Sequence, residues 1–424
     1  MLLAQELSLP CGLTLPNRIC KAALAENMAP ANNPDEKFPK AYAEWAKGGY
    51  GLIMTGNVQV TNTYLGAPGD ISVPSPATAS YTATKEDWTG WATATQQHGT
   101  PAIVQLNHPG RQSPAGAGSR WLWAKNLAPS AVSLNLGPRL FDSFLSNFVF
   151  GKPRAMTVAD IEGVVQMFVD GAKMAEEAGF KGVELHAAHG YLLAQFMAPS
   201  SNKRDDEFGG TAAKRVKLIL LIMKAIRAST KPGFCVGIKL NSVDVSSGNS
   251  MEETLEQVRL IVEAGIDFIE ISGGSYENPV MMQEHALPEP TKSARSLARE
   301  SFFLKFAQSV RARFPTVLLM VTGGFRTRAG MEAALNSGGC DLIGIGRPTT
   351  VIPYLPKDII LNEQIPDADA DLRLKDLPSP WYMSLAGKVI GAGAQSTYYA
   401  GQILRMGKGL KPIDTRLGVT SIKI

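Results

Sequence analysis

Gly182-Val-Glu-Leu-His-Ala-Ala-His-Gly-Tyr191 is the stretch from which the rest of the chain can be read. It opens as a short apolar strand, breaks at Gly190, and crowds three titratable side chains, His186, His189 and Tyr191, into its end. The whole chain has only five histidines. Side chains alternate along a strand, so Glu184 and His186 share one face while Val183 and Leu185 share the other. The apolar pair reads as packing against helices. Glu184 and His186 would then face the inside of a sheet or barrel, where a polar or charged group needs a partner or a task.

Working outward, similar apolar runs recur at 18–22, 51–55, 102–106, 235–240, 268–271, 317–321 and 342–345. Between them lie helical patterns at 37–47, 84–98, 158–178, 211–229, 251–264, 300–313 and 328–337. Thr157 with Asp160 marks the start of the third of these. Strands alternating with helices mean a parallel sheet buried on both faces. Eight units in succession favour closure into a single α/β (β/α)₈ TIM barrel over an open doubly wound sheet. Residues 7–15 read as an N-terminal hairpin turning at Cys11-Gly12. Two polar, Gly- and Pro-rich βα excursions, 57–82 and 107–156, read as irregular loops of the kind that cover binding sites. The barrel is expected over 1–352. The remainder, 353–424, is expected to be an extension with one helix near 395–406, packed on the barrel or on a partner subunit.

Composition narrows the function. With 424 residues, 45% hydrophobic content, 19% charged residues and a net charge of +4, nothing points to nucleic acid or an anionic membrane as partner. Cys11, Cys20, Cys235 and Cys340 are scattered and form no CxxC pair, the usage of a reducing compartment without a zinc or iron–sulfur site. The start, MLLAQELSLPCG, lacks the pattern of a signal peptide, and no apolar run reaches the roughly 20 residues that span a bilayer. A cytoplasmic protein is expected.

Polar residues collect at the C-terminal ends of the strands, where a barrel keeps its active site. Gln105 and Asn107, Glu184 and His186, Lys239 and Asn241, and Glu270 and Ser272 all alternate with apolar neighbours. Any one could be a satisfied structural polar group; together they favour a bound polar ligand. The last two strands end instead in Val321-Thr-Gly-Gly-Phe-Arg326 and Ile343-Gly-Ile-Gly-Arg-Pro348. Glycines there let backbone N–H groups approach an anion, and Arg347 can grip a phosphate bidentately. Ordinary tight turns are the plainer alternative. Flavin mononucleotide (FMN) suits the whole set, with its phosphate on the last two loops, Gln105 at its pyrimidine edge, and Lys239 against the negative charge of the reduced ring.

With these neighbours, the segment 182–210 resembles the old yellow enzyme family of FMN-dependent ene-reductases. Ile103-Val-Gln-Leu-Asn-His-Pro-Gly-Arg111, Leu15-Pro-Asn-Arg18, 322–325 and 344–348 extend the likeness over most of the chain. The resemblance implies a TIM barrel and an NADPH or NADH hydride donor. It also implies an electrophilic alkene as substrate, an α,β-unsaturated carbonyl or nitro compound whose C=C bond is reduced. His186 and His189 match the pair that binds the substrate oxygen, and Tyr191 matches the proton donor, a phenol of ordinary pKa about 10. Gln105, Lys239 and again His186 match flavin contacts. So do Ala23, Leu24, Ala25 and Gly56 at the ring, and Gly323, Gly324, Gly346 and Arg347 at the phosphate. Relatives carry Thr or Cys near Ala25, so the missing donor should make bound flavin harder to reduce.

Other readings compete. A redox-neutral FMN-dependent isomerase of a biosynthetic pathway needs the same site, and a flavin-independent lyase would use Lys239 as a Schiff base. A non-catalytic flavin carrier is a further alternative. His186-x-x-His189 sits at a strand end before glycine and lacks a third ligand, so no metal is expected. His108 reads as a loop-shaping residue, and His98 and His285 as helix-end and loop residues. Gly391-Ala-Gly-Ala-Gln-Ser396 lacks the third glycine of a dinucleotide fingerprint and reads as a helix start. Tyr398, Tyr399, Ile403 and Met406 form an apolar stripe, which suits core packing or a homodimer contact.

Overall fold

Eight parallel strands close on themselves: β1 (Ile19–Lys21), β2 (Leu52–Gln59), β3 (Ala102–Asn107), β4 (Gly182–Ala187), β5 (Cys235–Asn241), β6 (Phe268–Ser272), β7 (Leu319–Thr322) and β8 (Leu342–Ile345). Each pairs with its successor, and β8 pairs back to β1 through Ile343–Ile19 and Gly344–Cys20. The computed structural model describes residues 1–77, 81–121, 123–137, 140–242, 248–273, 292–374 and 388–414. His285 lies outside them.

The strand–helix alternation dictates where the core sits. Val183 and Leu185 of β4 face outward into a large apolar shell shared with the helices α1 (Lys37–Ala46), α2 (Tyr81–Gln96), α4 (Val158–Ala178) and α5 (Lys217–Ser229). Inside, Cys20, Leu52, Met54, Ile103, Cys235, Phe268, Met320 and Leu342 fill the barrel floor. Leu9 and Leu15 of the N-terminal hairpin join them, so the hairpin (Leu7–Ser8 with Thr14–Leu15) plugs that end. Its turn needs Gly12, whose φ of +89° suits glycine. α4 starts with the expected Thr157/Asp160 capping box and stops at Gly179 in the left-handed region.

Three expectations are corrected. The excursion 107–156 is not irregular throughout: it holds α3 (Leu140–Val149) and a short parallel pair, Leu127–Ala128 with Arg154–Ala155. Its Ser- and Gly-rich composition hides Phe144 and Phe148, one helical turn apart and stacked at 6.3 Å between ring centroids. The expected helix over 211–229 is two helices, Ala212–Arg215 and α5, that meet at Val216. β2 runs on to Gln59, past its expected end at Thr55, through a register shift between Met54 and Asn57.

After α6 (Met251–Glu263), α7 (Lys292–Arg313) and α8 (Arg328–Asn336), the tail helix α9 (Lys388–Gly407) packs against α1 and contains the 391–396 glycines within its length. Tyr398, Tyr399, Ile403 and Met406 are all buried, so the stripe faces this chain's own core. Among the described residues no helix is long and apolar enough to cross a membrane.

Candidate active site

The cavity at the C-terminal ends of the strands has a volume of about 260 Å³. Every barrel strand or the loop after it contributes to its wall. Ala23, Leu24 and Ala25 follow β1, Gln105 comes from β3, and His186, His189 and Tyr191 come from β4 and its loop. Lys239, Gly323, Gly324, Gly346 and Arg347 complete the residues selected from sequence. Gly56 is set back from this wall. Its N–H donates to Glu26 Oε1 at 2.8 Å, and a Cβ there would collide with Glu26 and the Leu24 carbonyl. Close backbone approach accounts for that glycine.

At β4, backbone geometry orders the imidazoles. The Ala188 N–H donates to His186 Nδ1 (3.3 Å), which places the ring proton on Nε2. His186 Nε2 then donates to His189 Nδ1 (3.2 Å), and His189 Nε2 to Ser272 Oγ (3.2 Å). The rings are thus a directional relay that ends on β6. His189 holds φ +58°, a left-handed conformation uncommon for a non-glycine residue, and its N–H is received by Asn241 Oδ1 (3.1 Å). Tyr191 packs edge-on against His186 with centroids 4.8 Å apart, and the Asn57 amide donates to its oxygen at 3.4 Å.

Burial holds both imidazoles well below their usual pKa, the His189 charge then adding at His186 and the Lys239 charge at both. Both are neutral at pH 7. An ordinary imidazole, with a pKa of about 6.5, would lose about nine-tenths of its neutral form by pH 5.5. A reaction that depends on this pair should therefore show no acid limb near 6.5, and stopped-flow rates from pH 5.5 to 7.5 check this.

Beneath the imidazoles lies a charged layer. Lys239 Nζ is 2.7 Å from Glu270 Oε1, a Coulombic contact rather than an aligned hydrogen bond, with 4% and 0% of the side chains exposed. Gln105 Nε2 donates to Glu184 Oε2 at 2.6 Å. Burial, then the Glu270 charge, pushes the Glu184 carboxyl well above the usual carboxylate range. The layer thus sets one buried lysine against two wholly buried carboxyls.

These residues fit FMN. Gln105 Oε1 is buried without a hydrogen-bond partner among the described residues, the acceptor that a pyrimidine N–H would satisfy. At the other rim, Gly323 (φ +122°) and Gly324 (φ +89°) adopt backbone conformations that side chains resist, and a Cβ on Gly344 would collide with Thr322 Oγ1. The helix after Arg347 is Pro348–Val351, too short to add much of a helix dipole to an anion there. The guanidinium and glycine backbone are left to meet a phosphate.

Sequence reasoning missed two contributors to the wall and one buried lysine that does not line it. Asn57 was hidden because β2 was ended early. Lys21 is fully buried in β1, donates to the Met54 carbonyl (2.9 Å), and lies 4.3 Å from the Trp45 ring. Burial pulls its amine down to about 8, with Glu26 opposing. A lysine inside an apolar strand was its available signal. The third is α9, which brings Ser396, Tyr399, Ala400 and Ile403 to the cavity. The Arg347 guanidinium sits 5.8 Å from the Tyr399 ring centroid. If Arg347 grips the FMN phosphate, replacing it with alanine removes charge-assisted bonds worth about 1.5–3 kcal/mol, and FMN binding to apoprotein should weaken by roughly 10- to 150-fold. Tyr399→Ala removes a contact of about 0.5–1 kcal/mol and should cost roughly 2- to 5-fold. Fluorescence titration reads both, and a larger loss in the tyrosine variant would contradict the assignment.

Known proteins resemble this chain over most of its length. Residues 11–367 match the NADH:flavin oxidoreductase / NADH oxidase family, a stretch that runs past the barrel boundary expected at 352. An NADH-dependent flavin oxidoreductase of Talaromyces variabilis, iccE, is 45% identical over 411 residues, 96% of this chain and 98% of its own. Another, iliE of Neonectria sp. (strain DH2), is 47% identical over 395 residues, 90% of this chain but only 51% of its own. This chain thus spans about half of the Neonectria protein. Among solved structures, the old yellow enzyme homologue from Zymomonas mobilis superposes with a TM-score of 0.66 at 24% identity, covering 88% of this chain and 99% of that one. A 2-naphthoyl-CoA reductase gives 0.73 at 24% identity, covering 88% and 53%. At that identity the likeness is one of fold.

Proposed function

Since the chain belongs to the NADH:flavin oxidoreductase / NADH oxidase family, that of the old yellow enzymes, and is an FMN-dependent NAD(P)H oxidoreductase, we propose that it reduces the activated C=C bond of α,β-unsaturated carbonyl or nitro compounds. The supporting observation is the convergence of His186, His189 and Tyr191 on the cavity wall that also carries Gln105, Lys239 and Arg347. The names of its relatives favour NADH as donor.

Bound FMN would supply the two-electron hydride chemistry; the chain's own groups do the rest. Gln105, Lys239, the backbone at Ala23–Ala25 and the Gly323–Gly324 and Gly346–Arg347 rim would hold it. The imidazole N–H groups, spent here on each other and on Ser272, are the donors that a carbonyl or nitro oxygen would recruit. Being neutral, they polarise that oxygen through hydrogen bonds without giving up a full proton. A phenol that accepts from Asn57 uses a lone pair there, which does not consume its proton, so Tyr191 can serve as the acid for the substrate carbon.

The test is anaerobic. The FMN-loaded protein is bleached with NADH and then mixed with cyclohexenone, cinnamaldehyde or a nitroalkene. Return of the yellow colour with formation of the saturated product supports the proposal. If no acceptor of this class restores it while molecular oxygen does, alkene reduction is wrong. Product formed without net NADH use would favour the redox-neutral alternative.

A further inference from the structure

At the floor of the barrel, opposite the cavity, two thiols that the reaction above does not use are brought together. Cys11 is half-buried at the tip of the N-terminal hairpin, and Cys235 is the fully buried first residue of β5. Their sulfur atoms and a carboxylate oxygen of Asp267 lie within 4.8 Å of one another. They are 224 positions apart in sequence (235 − 11) and meet only because the hairpin plugs the barrel. The hairpin tip and the start of β5 are neighbours here: a Cβ added at Gly233 would lie in ordinary contact, 3.5 Å, with the Cys11 carbonyl oxygen.

A metal is the first ligand to consider for two cysteines and an aspartate, but the carboxylate is committed. Asp267 Oδ2 accepts from Arg227 Nη2 at 2.6 Å and from the Val236 N–H at 2.6 Å. A guanidinium beside the carboxylate repels a cation and favours a thiolate instead.

We propose that Cys11 and Cys235 are a peroxide-reactive pair, Cys11 the attacking thiol and Cys235 the resolving one, which close to a disulfide that pins the hairpin to β5. Accessibility and charge are divided as such a pair requires. The Cys235 thiol beside it, then the Leu13 N–H and the Arg227 charge, hold the Cys11 thiol below its usual value against burial and the Asp267 charge. The neighbouring Cys11 thiol, then burial, pushes the Cys235 thiol well up. The other two thiols are shielded. Cys20 and Cys340 are buried, and burial together with the charges of Glu270 and Glu184 drives the Cys20 thiol up.

Hydrogen peroxide is the oxidant. The Cys11 sulfur attacks one peroxide oxygen, the O–O bond breaks, and hydroxide leaves to take the proton that Cys11 gave up. The Cys235 sulfur then attacks the sulfenic sulfur of Cys11, the S–O bond breaks, and water leaves with the Cys235 proton. Two thiols have lost two electrons and two protons, and one peroxide has become two waters. Movement falls to the hairpin tip, because β5 is held in the sheet on both sides by β4 and β6.

The experiment treats the full-length FMN-loaded protein with a small excess of hydrogen peroxide, alkylates it and maps its peptides without reduction. The expected result is loss of two of the four free thiols and a cross-link between the peptides that carry Cys11 and Cys235. Cys235→Ala should instead accumulate a dimedone-reactive sulfenic acid on Cys11, and Cys11→Ser should keep its remaining thiols at the same dose. The proposal is overturned if the wild type keeps all four thiols, if Cys11 proceeds to sulfinic acid with Cys235 still free, or if the cross-link joins two chains. One equivalent of zinc retained by the wild type and lost by Cys11→Ser would overturn it in favour of a metal site.

Discussion

Tyr191→Phe should slow reoxidation of the NADH-reduced protein by an enone roughly 10²- to 10⁴-fold, the usual contribution of a positioned general acid. The preceding reduction by NADH should change little. The substitution keeps the ring that packs on His186 at 4.8 Å and removes only the oxygen that receives the Asn57 amide. Anaerobic stopped-flow absorbance separates the two half-reactions. Equal slowing in both would remove the phenol from the acid role and make it a packing residue.

The second large effect concerns stability. Lys239→Met leaves Glu270 without its cation at a site where both carboxyls, Glu184 and Glu270, are wholly buried. Breaking a buried pair from one side costs about 3–5 kcal/mol, because the surviving charge has lost its compensation. The urea midpoint should fall accordingly. The double variant Lys239→Met/Glu270→Gln should recover much of the loss, since it removes the stranded charge along with its partner. A single variant as stable as the wild type would mean that water or a second cation reaches this layer. Retention of FMN by the double variant reads the binding role separately, because the pair's contribution to folding is cancelled there.

These effects rest on different kinds of information. The parity of Glu184 with His186 and of Lys239 with Asn241 was legible at once, since a strand has a period of two. That Lys239 meets Glu270 was not, because the pairing depends on how β5 and β6 are set against each other. In the structure Lys239 is opposite Glu270 in register. The imidazole pair was equally conspicuous, but its direction depends on a backbone N–H at Ala188 and a hydroxyl on another strand, which no spacing encodes. Helix α3 was hidden by the Gly-, Pro- and Ser-rich residues around it, and Asn57 by a register shift, a local irregularity that hydrophobic pattern does not carry.

By itself, then, the sequence determined the strand–helix alternation, the closed barrel, and the residue types gathered at its mouth. Those follow from short-range rules: side-chain period, glycine at turns, and the cost of burying charge without a partner. Tertiary structure alone decided that α9 lines the cavity and sets Tyr399 beside Arg347, that Gly56 stands back from it, and that Cys11 meets Cys235. Each of those contacts joins residues far apart along the chain, and their meeting is set by packing of whole elements, for which no local pattern is required.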